Sequence, residues 1–593
     1  MGRRHWWLLA LLVCSCTLIL GSCGVSVAPR ANQLVTAVTA DPKTFNYALS
    51  QESPNVFGYI YSGLIQENGL TGELEPALAE SWQINPDALE IVFQLRPNLK
   101  WSDGEPLTSE DVVFTYNQVY FNPEIPTSSR DILRIGQAGL LPTVTAQGDR
   151  QVTFKLPEPF APFLRNTGLP ILPAHKLRNA VKERDRDGRL KFLSLWGTDT
   201  DPREIVGNGP FVMERYINNQ RLIFRRNPYY WRSPLPHIDR FIWQIVESTD
   251  TAMLQFRSGG LDLFAVTPDM FSLLKREEKP GQFRIYNSGP STGTVYLAFN
   301  LNRGRRNGKP LVDPVKSEWF NDVRFRQAVA YALDRQRMIN NIYQGLGEPQ
   351  HSTIPVQSPF YFSPADGLPT YTYNPEKAKD LLRSAGFQYN AQGQLLDAQG
   401  NHVRFSLITN AGNKIREALA TQIQQDLAAI GMQVDLQFLA FSALVDRLSN
   451  SLEWECHLLG FTGGGSEPNG SANIWRVDGL LHTFNQQPSP NQPPITGHVI
   501  ADWEQRISDL YIQGAQELQE ERRKPIYAEA QRLAQEYLPF IYLINPLSLT
   551  AFRNHVIGAN PTALGGALWN LDELQVATKL TEHSSTKPSL PSS

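Results

Sequence analysis

Segments with strand-like and helix-like hydrophobicity alternate along the second half of the chain, and this alternation limits the fold more than any other feature. Residues 402–409 and 434–438 show the period-two pattern of strands, whereas 415–427 places apolar residues every four positions, as an amphipathic helix does. Residues 456–461 form a further apolar segment. Such alternation is typical of an α/β lobe with a mainly parallel sheet.

Local sequence patterns predict several further strands and helices. The spacing predicts a strand over 89–96 and a helix that begins at Thr108, where Asp111 completes a capping box. It also predicts one long helix over 322–343, which Gly345 ends.

The stretch GFTGGGSEPNGSANIW, residues 460–475, begins within the last of the apolar segments. Ligands of parallel sheets lie beyond the carboxyl ends of the strands, and glycines let the backbone approach a ligand closely. In this interpretation Phe461 and Trp475 form apolar walls, while Asn469 and Asn473 offer amide groups. The alternative is a mobile glycine tip with Trp475 in the core.

The first residues have the pattern of an export signal. Arg3 and Arg4 precede an apolar run over 6–20, and small residues lead to Cys23, an order that resembles the bacterial lipobox. We therefore expect a lipoprotein signal peptide over 1–22 and lipidation of Cys23, followed by a tether over 23–31. An ordinary signal peptide, or cleavage before Cys16, are the alternatives.

Composition and motifs argue against other classes of protein. A net charge of −3 over 593 residues disfavours nucleic acid as a partner. The sequence contains no HExxH, GxSxG, Walker or paired CxxC motif, and the glycine-rich stretch fails the GxSxG pattern at Pro468. We therefore predict no catalytic residue, no cofactor and no metal ligand, with an exported enzyme as the disfavoured alternative.

Several longer stretches resemble one known family. FQLRPNLKWSDGEPLTSEDVVFTYNQV (93–119) is similar to the hallmark region of the family 5 extracellular solute-binding proteins, the oligopeptide and dipeptide receptors of ABC importers. DPKTFNY (41–47), GNGPFVMERYINNQRLIFRRNPYYW (207–231) and FNDVRFRQAVAYALDRQRMI (320–339) resemble further landmarks of that family. The resemblance runs in order over about residues 33–575.

The resemblance implies a two-lobed α/β fold, periplasmic-binding-protein-like (type II), with an extra inserted α/β domain and a ligand cleft between the lobes. The boundaries that it implies are lobe I at 32–75, 206–293 and 546–580, the inserted domain at 76–205, lobe II at 294–545, and a disordered tail at 581–593.

The implied function is that of a substrate-binding lipoprotein. It would capture a peptide or peptide-like solute and deliver it to an ABC permease in the cytoplasmic membrane. The lipid would hold it, as an expected monomer, at the periplasmic or cell-surface face. The alternative is a receptor for a non-peptide solute, such as an oligosaccharide, a cell-wall fragment or a metal chelate.

The resemblance also implies site residues. Peptide-binding members read Gly-Trp-x-Ala-Asp at the counterpart of 460–464, and that Asp holds the α-ammonium of the peptide. Here Gly464 takes its place, and Glu467 is a candidate substitute. The full set of predicted ligand residues is Asn46, Tyr61, Phe461, Gly463, Gly464, Gly465, Glu467, Asn469, Asn473 and Trp475.

Overall fold

The computed structural model describes residues 32–50, 54–463, 465–488 and 492–577. The predicted signal peptide, tether, Cys23, Gly464 and the tail over 581–593 lie outside these residues. The described chain forms two lobes. Following its sheets, we use lobe I for the described residues up to 290 and from 544 onward and lobe II for 296–542, while the lobe boundaries implied by the resemblance stay a prediction. We call residues 291–295 the crossover segment.

Over its described residues, the first part of lobe I contains twelve strands and seven α-helices. The strands are β1 (Gln33–Val38), β2 (Ile65–Glu67), β3 (Leu74–Pro76), β4 (Ala79–Ile84), β5 (Glu90–Leu95), β6 (Thr143–Gln147), β7 (Gln151–Lys155), β8 (Phe211–Ile217), β9 (Arg221–Arg226), β10 (Arg240–Ile245), β11 (Leu263–Ala265) and β12 (Phe283–Pro290). The helices are α1 (Phe57–Ile60), α2 (Ser109–Phe114), α3 (Ser129–Leu133), α4 (Phe163–Asn166), α5 (Ala174–Leu177), α6 (Thr249–Arg257) and α7 (Pro268–Glu277).

Two four-stranded sheets organise this part of lobe I. One has the order β1-β10-β9-β8, with β1 parallel to β10, and the other is the antiparallel sheet β4-β5-β7-β6. The predicted strand over 89–96 is β5, and its alternate side chains are buried. The capping box of Thr108 and Asp111 is present at the start of α2. The exact extent of an inserted domain over 76–205 stays a prediction.

The described part of lobe II contains ten strands and nine α-helices. The strands are β13 (Tyr296–Phe299), β14 (Arg305–Arg306), β15 (Lys309–Pro310), β16 (Gly347–Pro349), β17 (Gln388–Tyr389), β18 (Leu395–Leu396), β19 (Arg404–Asn410), β20 (Gln433–Leu439), β21 (Cys456–Leu459) and β22 (Ile541–Tyr542). The helices are α8 (Pro314–Asn321), α9 (Val323–Ala332), α10 (Arg335–Asn341), α11 (Pro375–Ser384), α12 (Lys414–Ala428), α13 (Phe441–Asp446), α14 (Ala472–Trp475), α15 (Asp502–Gln516) and α16 (Glu520–Tyr537).

The sheet of lobe II has the order β20-β19-β21-β13-β22. Strand β19 pairs in parallel with β20 and with β21, as the alternation predicts, whereas β13 pairs antiparallel with β21 and β22. The expected mainly parallel sheet is therefore a mixed sheet. Strand β13, directly after the crossover segment, runs opposite to the other strands of this sheet, β20, β19, β21 and β22.

The long helix expected over 322–343 is two helices, α9 and α10. The break falls at Leu333 and Asp334, and the Asp334 side chain accepts a hydrogen bond from the backbone N–H of Arg337 at 2.9 Å. An aspartate that caps the next turn ends one helix and starts another, although the apolar periodicity continues through the break.

The chain returns to lobe I in β23 (Ile544–Arg553), followed by β24 (Val556–Ile557) and β25 (Gln575–Val576). The first residues of β23 pair with β16 of lobe II, and the rest of the strand pairs with β11 and β12 of lobe I. Strand β23 therefore connects the two lobes directly.

Candidate functional site

The glycine loop, residues 460–465, follows β21 at an edge of the lobe II sheet. Because β21 and β20 both run parallel to β19, the loop lies at the same edge as Asn410 and Leu439, the last residues of β19 and β20. This is the edge where ligands of parallel sheets bind.

Backbone contacts fasten the loop to the crossover segment. The N–H of Phe461 donates to Thr294 Oγ1 at 3.1 Å, and the N–H of Thr294 donates to the carbonyl of Phe461 at 3.0 Å. A Cβ on Gly463 would lie 1.9 Å from Thr292 Oγ1, and one on Gly460 would lie 2.1 Å from the carbonyl oxygen of Thr294. These two glycines are required by the close packing of loop and crossover, so the position of the loop is tied to the passage between the lobes.

The other end of the loop faces lobe I. A Cβ on Gly465 would lie 3.4 Å from Glu67 Oε2, at the end of β2. Thr462, Gly463 and Gly465 are exposed, whereas Ser466 is held by a 2.5 Å hydrogen bond from Ser358 Oγ to its carbonyl. The loop thus presents exposed backbone at the interface of the two lobes.

Glu67 also lines a cavity of about 690 Å³ in lobe I. Arg165 lies in the same wall and forms an ion pair with Glu67. Tyr61 lines the cavity as well; it is 4% exposed, and its hydroxyl has no hydrogen-bond partner among the described residues. Burial raises the pKa of Tyr61, so the phenol stays neutral.

The ring of Phe461 lies at the base of the loop. Its centroid is 4.8 Å from that of Tyr296 and 5.6 Å from that of Phe540. The ring is half-buried, so Phe461 belongs partly to the core of lobe II and partly to the surface of the loop.

The structure assigns Glu467 to a buried ion pair. Arg523 donates to both of its carboxylate oxygens, at 3.0 and 2.5 Å, and the two side chains are 10% and 7% exposed. Glu467 Oε1 also accepts from the N–H of Asn469 at 3.2 Å. The carboxylate is therefore neutralised within lobe II, and this corrects the expectation that it is free to replace the absent aspartate.

Trp475 is likewise part of the core. It is 3% exposed, its Nε1 donates to Thr353 Oγ1 at 3.0 Å, and its ring stacks beside Tyr511 at 6.1 Å. Its indole does not form a wall of the cleft, because the ring is buried against Tyr511 and Phe540 and the N–H is bonded to Thr353. This geometry agrees with the alternative interpretation, in which Trp475 is a core residue.

The three predicted asparagines occupy different environments. Asn46 is buried, donates to the carbonyls of Phe192 and Leu195 at 3.1 and 3.3 Å, and caps a turn through Ala48. Asn469 is buried behind the loop, and its Nδ2 has no partner within the described ranges. Asn473 is half-buried. The side chain of Asn46 thus serves the fold of lobe I.

Arg416, in the first turn of α12, is a residue of this edge that the sequence interpretation missed. Its Nη1 donates to Asn410 Oδ1 at 2.7 Å, and its Nη2 lies 3.5 Å from the position of a Cβ on Gly460. Burial lowers the pKa of Arg416. The rule that placed the glycine loop at the carboxyl edge also applies to the turn after β19, and it would have indicated this residue.

Contacts between the lobes occur on more than one side of the loop. Arg134 forms a 2.8 Å ion pair with Asp478, and Asp250 forms a 2.5 Å ion pair with Lys414. The N–H of Ala161 in lobe I donates to the carbonyl of Ala515 in lobe II at 2.8 Å. The lobes are therefore in direct contact around the candidate site.

Two α/β lobes joined by short crossovers, with a loop of exposed backbone between them, define a solute-binding protein. Residues 73–479 match the family description "Bacterial extracellular solute-binding proteins, family 5 Middle". The match covers more than half of the chain, and the protein belongs to this family.

Individual relatives agree with this family. The chain is 29% identical to a "Probable ABC transporter-binding protein" of Deinococcus radiodurans over 529 residues, which covers 85% of each protein. It is 28% identical to the oligopeptide-binding protein AppA of Bacillus subtilis over 435 residues, 72% of each protein.

Solved structures show the same fold. The structure of AppA from Bacillus subtilis in complex with a nonapeptide has a TM-score of 0.74 at 23% identity and covers 92% of this chain and 99% of that one. The periplasmic binding protein MelB of Agrobacterium fabrum, in complex with stachyose, has a TM-score of 0.77 at 19% identity over 93% and 86% of the two chains.

Two further observations concern the described residues only. None of their helices combines the length and the apolar character needed to cross a bilayer. They also contain no group of three or more His, Cys, Asp or Glu residues arranged to hold a metal ion.

Proposed function

We propose that this protein is the solute-binding component of an ABC importer and that it captures a peptide or peptide-like solute between its lobes. The names of its relatives in Deinococcus radiodurans and Bacillus subtilis support the transporter and the peptide. One structural observation carries the site: the glycine loop lies at the carboxyl edge of β19, β20 and β21, is bonded to the crossover segment and faces lobe I.

The exposed backbone of the loop gives the solute its main contact. An extended peptide pairs with such backbone as an added strand, so that main-chain hydrogen bonds supply affinity without a dedicated side chain. Phe461 adds an apolar surface below the solute, and Tyr61 donates a hydrogen bond from lobe I. The proposed ligand residues are thus Tyr61, Phe461, Gly463, Gly464 and Gly465.

The attachment of the loop to the crossover segment couples binding to lobe closure. A solute that contacts the loop and lobe I together stabilises the closed arrangement, because it binds that arrangement more tightly than the open one. The closed protein then presents both lobes to the permease in a fixed relation.

The membrane location follows from Cys23. We infer that the thiol of Cys23 is acylated and that the lipid holds the monomeric protein at the periplasmic or cell-surface face of the membrane. The segment Leu20-Gly21-Ser22-Cys23 supports this. Replacement Cys23→Ser should move the protein from the membrane fraction to the soluble fraction, and a variant that stays membrane-bound would contradict the inference.

The ligand class is tested by native mass spectrometry on the protein that begins after Cys23. The protein is purified without refolding, and any bound solute is released by denaturation. Short peptides among the released masses, and retention of peptides from an added tripeptide mixture, are the expected result. Release of oligosaccharides with no peptide retention would contradict the proposal and favour a non-peptide solute.

The second candidate, a non-peptide solute, has one observation in its favour. Gly464 stands where peptide-binding relatives are expected to have an amine-binding aspartate, and Glu467 is already paired with Arg523. A solute without a free amine fits such a site.

A further inference from the structure

The cavity of about 690 Å³ that Tyr61 and Glu67 line is formed by lobe I alone. Its walls come from segments within 58–77, 165–170, 210–232 and 568–573, and no described residue of lobe II contributes to them. Sites that enclose a small organic molecule usually measure about 300–1,000 Å³. The cavity is therefore large enough to hold a ligand, or part of one, without help from lobe II.

The wall of this cavity carries more negative than positive charge. It contains two guanidiniums and four carboxylates, those of Arg165, Arg232, Glu67, Glu75, Asp572 and Glu573. Arg165 pairs with Glu67. Arg232 pairs with both Asp572 and Glu573, at 2.8 Å each. Glu75 is the carboxylate of this wall that forms no ion pair within the described part of the chain.

Glu75 is held in place by neutral groups. It lies on β3 and is half-buried, and its two oxygens accept hydrogen bonds from Asn68 Nδ2 at 2.7 Å and from Gln66 Nε2 at 3.2 Å. These bonds lower the pKa of Glu75, so its carboxylate is ionised at neutral pH. They fix the orientation of the carboxylate and leave its charge without a cationic partner.

Two nearly buried side chains bring unused polar atoms to the same cavity. Tyr61 and Asn570 both line it, and they are 4% and 6% exposed. Neither the Tyr61 hydroxyl nor Asn570 Oδ1 has a hydrogen-bond partner among the described residues. A buried polar atom without a partner is costly, and both of these oxygens can accept a hydrogen bond. They therefore indicate a guest that supplies N–H or O–H donors.

Aromatic rings form a further part of the wall, contributed by Tyr59, Tyr61, Tyr230 and Trp569. The Trp569 ring is fixed by a 2.8 Å hydrogen bond from its Nε1 to the carbonyl of Asn560. It also packs closely on Gly69, where a Cβ would lie 2.4 Å from the ring. The face of an aromatic ring attracts a cation, and more strongly when the cation is removed from water.

We propose that the lobe I cavity binds an organic cation, an ammonium or guanidinium group, with the Glu75 carboxylate as its charge partner. The oxygens of Tyr61 and Asn570 accept hydrogen bonds from its N–H groups, and the Trp569 ring covers its apolar part. Charge-assisted hydrogen bonds of this kind are about twice as strong as neutral ones. Because every wall belongs to lobe I, the site does not depend on the proposed function.

The cation is either a group of the transported solute or a free small molecule. Glu67 connects the two sites in space, because it lines the cavity and lies 3.4 Å from the position of a Cβ on Gly465. Tyr61, already proposed as a contact of the solute, lies in the same cavity. The experiment distinguishes the two sources.

Two matched pairs of probes test the proposal. Butylammonium is compared with butanol, and N-acetyl-lysine amide with N-acetyl-6-hydroxynorleucine amide, so that a hydroxyl replaces the ammonium in each pair. Binding is measured by equilibrium dialysis for the full chain, solubilised in a neutral detergent, and for Glu75→Gln, Glu75→Asp and Glu73→Gln. Glu73 is the matched control, because it is an exposed carboxylate directly before β3 and does not line the cavity.

We expect the wild type and Glu73→Gln to bind the cations about 10- to 100-fold more tightly than their neutral counterparts, the range that one hydrogen bond to a charged group supplies. In Glu75→Gln this ratio should fall to about one, whereas Glu75→Asp, which keeps the charge, should retain part of it. Thermal midpoints measured without probe show that the chains are folded.

A mixture of free-amine tripeptides, added to the protein with bound butylammonium, identifies the source. Displacement of butylammonium assigns the cation to the solute, and continued binding beside the peptides assigns it to a free small molecule. If the protein bound the cations but retained no peptide, the proposed function would fail and the cavity site would stand.

Three results would overturn the proposal. They are equal binding of cationic and neutral probes by the wild type, an unchanged ratio in Glu75→Gln, and an equal loss in Glu73→Gln. Each would remove the role of Glu75 and leave solute binding at the glycine loop intact.

Discussion

The two halves of the segment 460–475 stand in opposite relations to the fold. In the first half, Thr462, Gly463 and Gly465 are exposed at the lobe interface, and Phe461 is bonded to the crossover segment. In the second half, the Glu467 carboxylate and the Trp475 indole N–H are used inside lobe II, by Arg523 and Thr353. A polar side chain that is already paired within the fold is not available to bind a solute.

The largest expected effect concerns the buried half of this comparison. Arg523→Ala leaves the carboxylate of Glu467 buried and unpaired, which should lower the free energy of unfolding by about 3–5 kcal/mol. Denaturant unfolding followed by tryptophan fluorescence measures this loss.

A matched control is Arg404→Ala, which breaks an exposed pair with Asp435 and should cost at most about 1 kcal/mol. Equal losses in the two variants would show that Glu467 is not a buried partner, and the comparison between the two halves of the segment would then fail.

The second effect concerns His457, on the strand that leads to the loop. His457 is fully buried beside Trp454, neither of its ring nitrogens has a partner among the described residues, and burial lowers its pKa to about 3. Its folded pKa lies below the unfolded value of about 6.5, so its contribution is present above pH 6.5 and is lost as the pH falls.

From this difference we expect the free energy of unfolding to fall by about 1.4 kcal/mol for each pH unit between about 6.5 and 3 on account of His457. His457→Phe keeps the ring and removes the titration, so its unfolding curves should depend less on pH in this range. An identical pH dependence in wild type and variant would contradict the assignment.

The smallest effect separates two glycines of the loop itself. A methyl group on Gly463 overlaps Thr292, so Gly463→Ala should destabilise the protein by about 1–3 kcal/mol. A methyl group on Gly465 meets Glu67 at an ordinary contact distance, so Gly465→Ala should stay within about 0.5 kcal/mol of the wild type. Thermal melts of both variants measure the difference, and equal stabilities would show that Gly463 does not pack on the crossover segment.

The sequence predicted the elements whose signals are local. The strand β5, the capping box at Thr108 and the parallel pairing around β19 are all visible in periodicity and capping residues. The break at Asp334 is not visible in the periodicity, because the apolar pattern continues across both helices.

The sequence predicts where the glycine loop lies in the fold, but not which neighbouring side chains are already paired. The order of strands and helices along the chain places the loop at the carboxyl edge of the sheet, so its position can be predicted. The pairing of Glu467 with Arg523, 56 residues away, depends on tertiary contacts that no local pattern carries.

The most direct test of the account compares one residue from each half of the segment for the same solute. Gly465→Phe and Trp475→Phe are measured beside the wild type, with retention of peptides from an added tripeptide mixture and thermal midpoints recorded together. The account predicts that Gly465→Phe loses at least about 100-fold in affinity with an unchanged midpoint, since a side chain there fills the space toward Glu67. It predicts the reverse for Trp475→Phe, a lower midpoint with nearly unchanged affinity. Unchanged affinity in Gly465→Phe together with lost affinity in Trp475→Phe would contradict the placement of the site at the glycine loop.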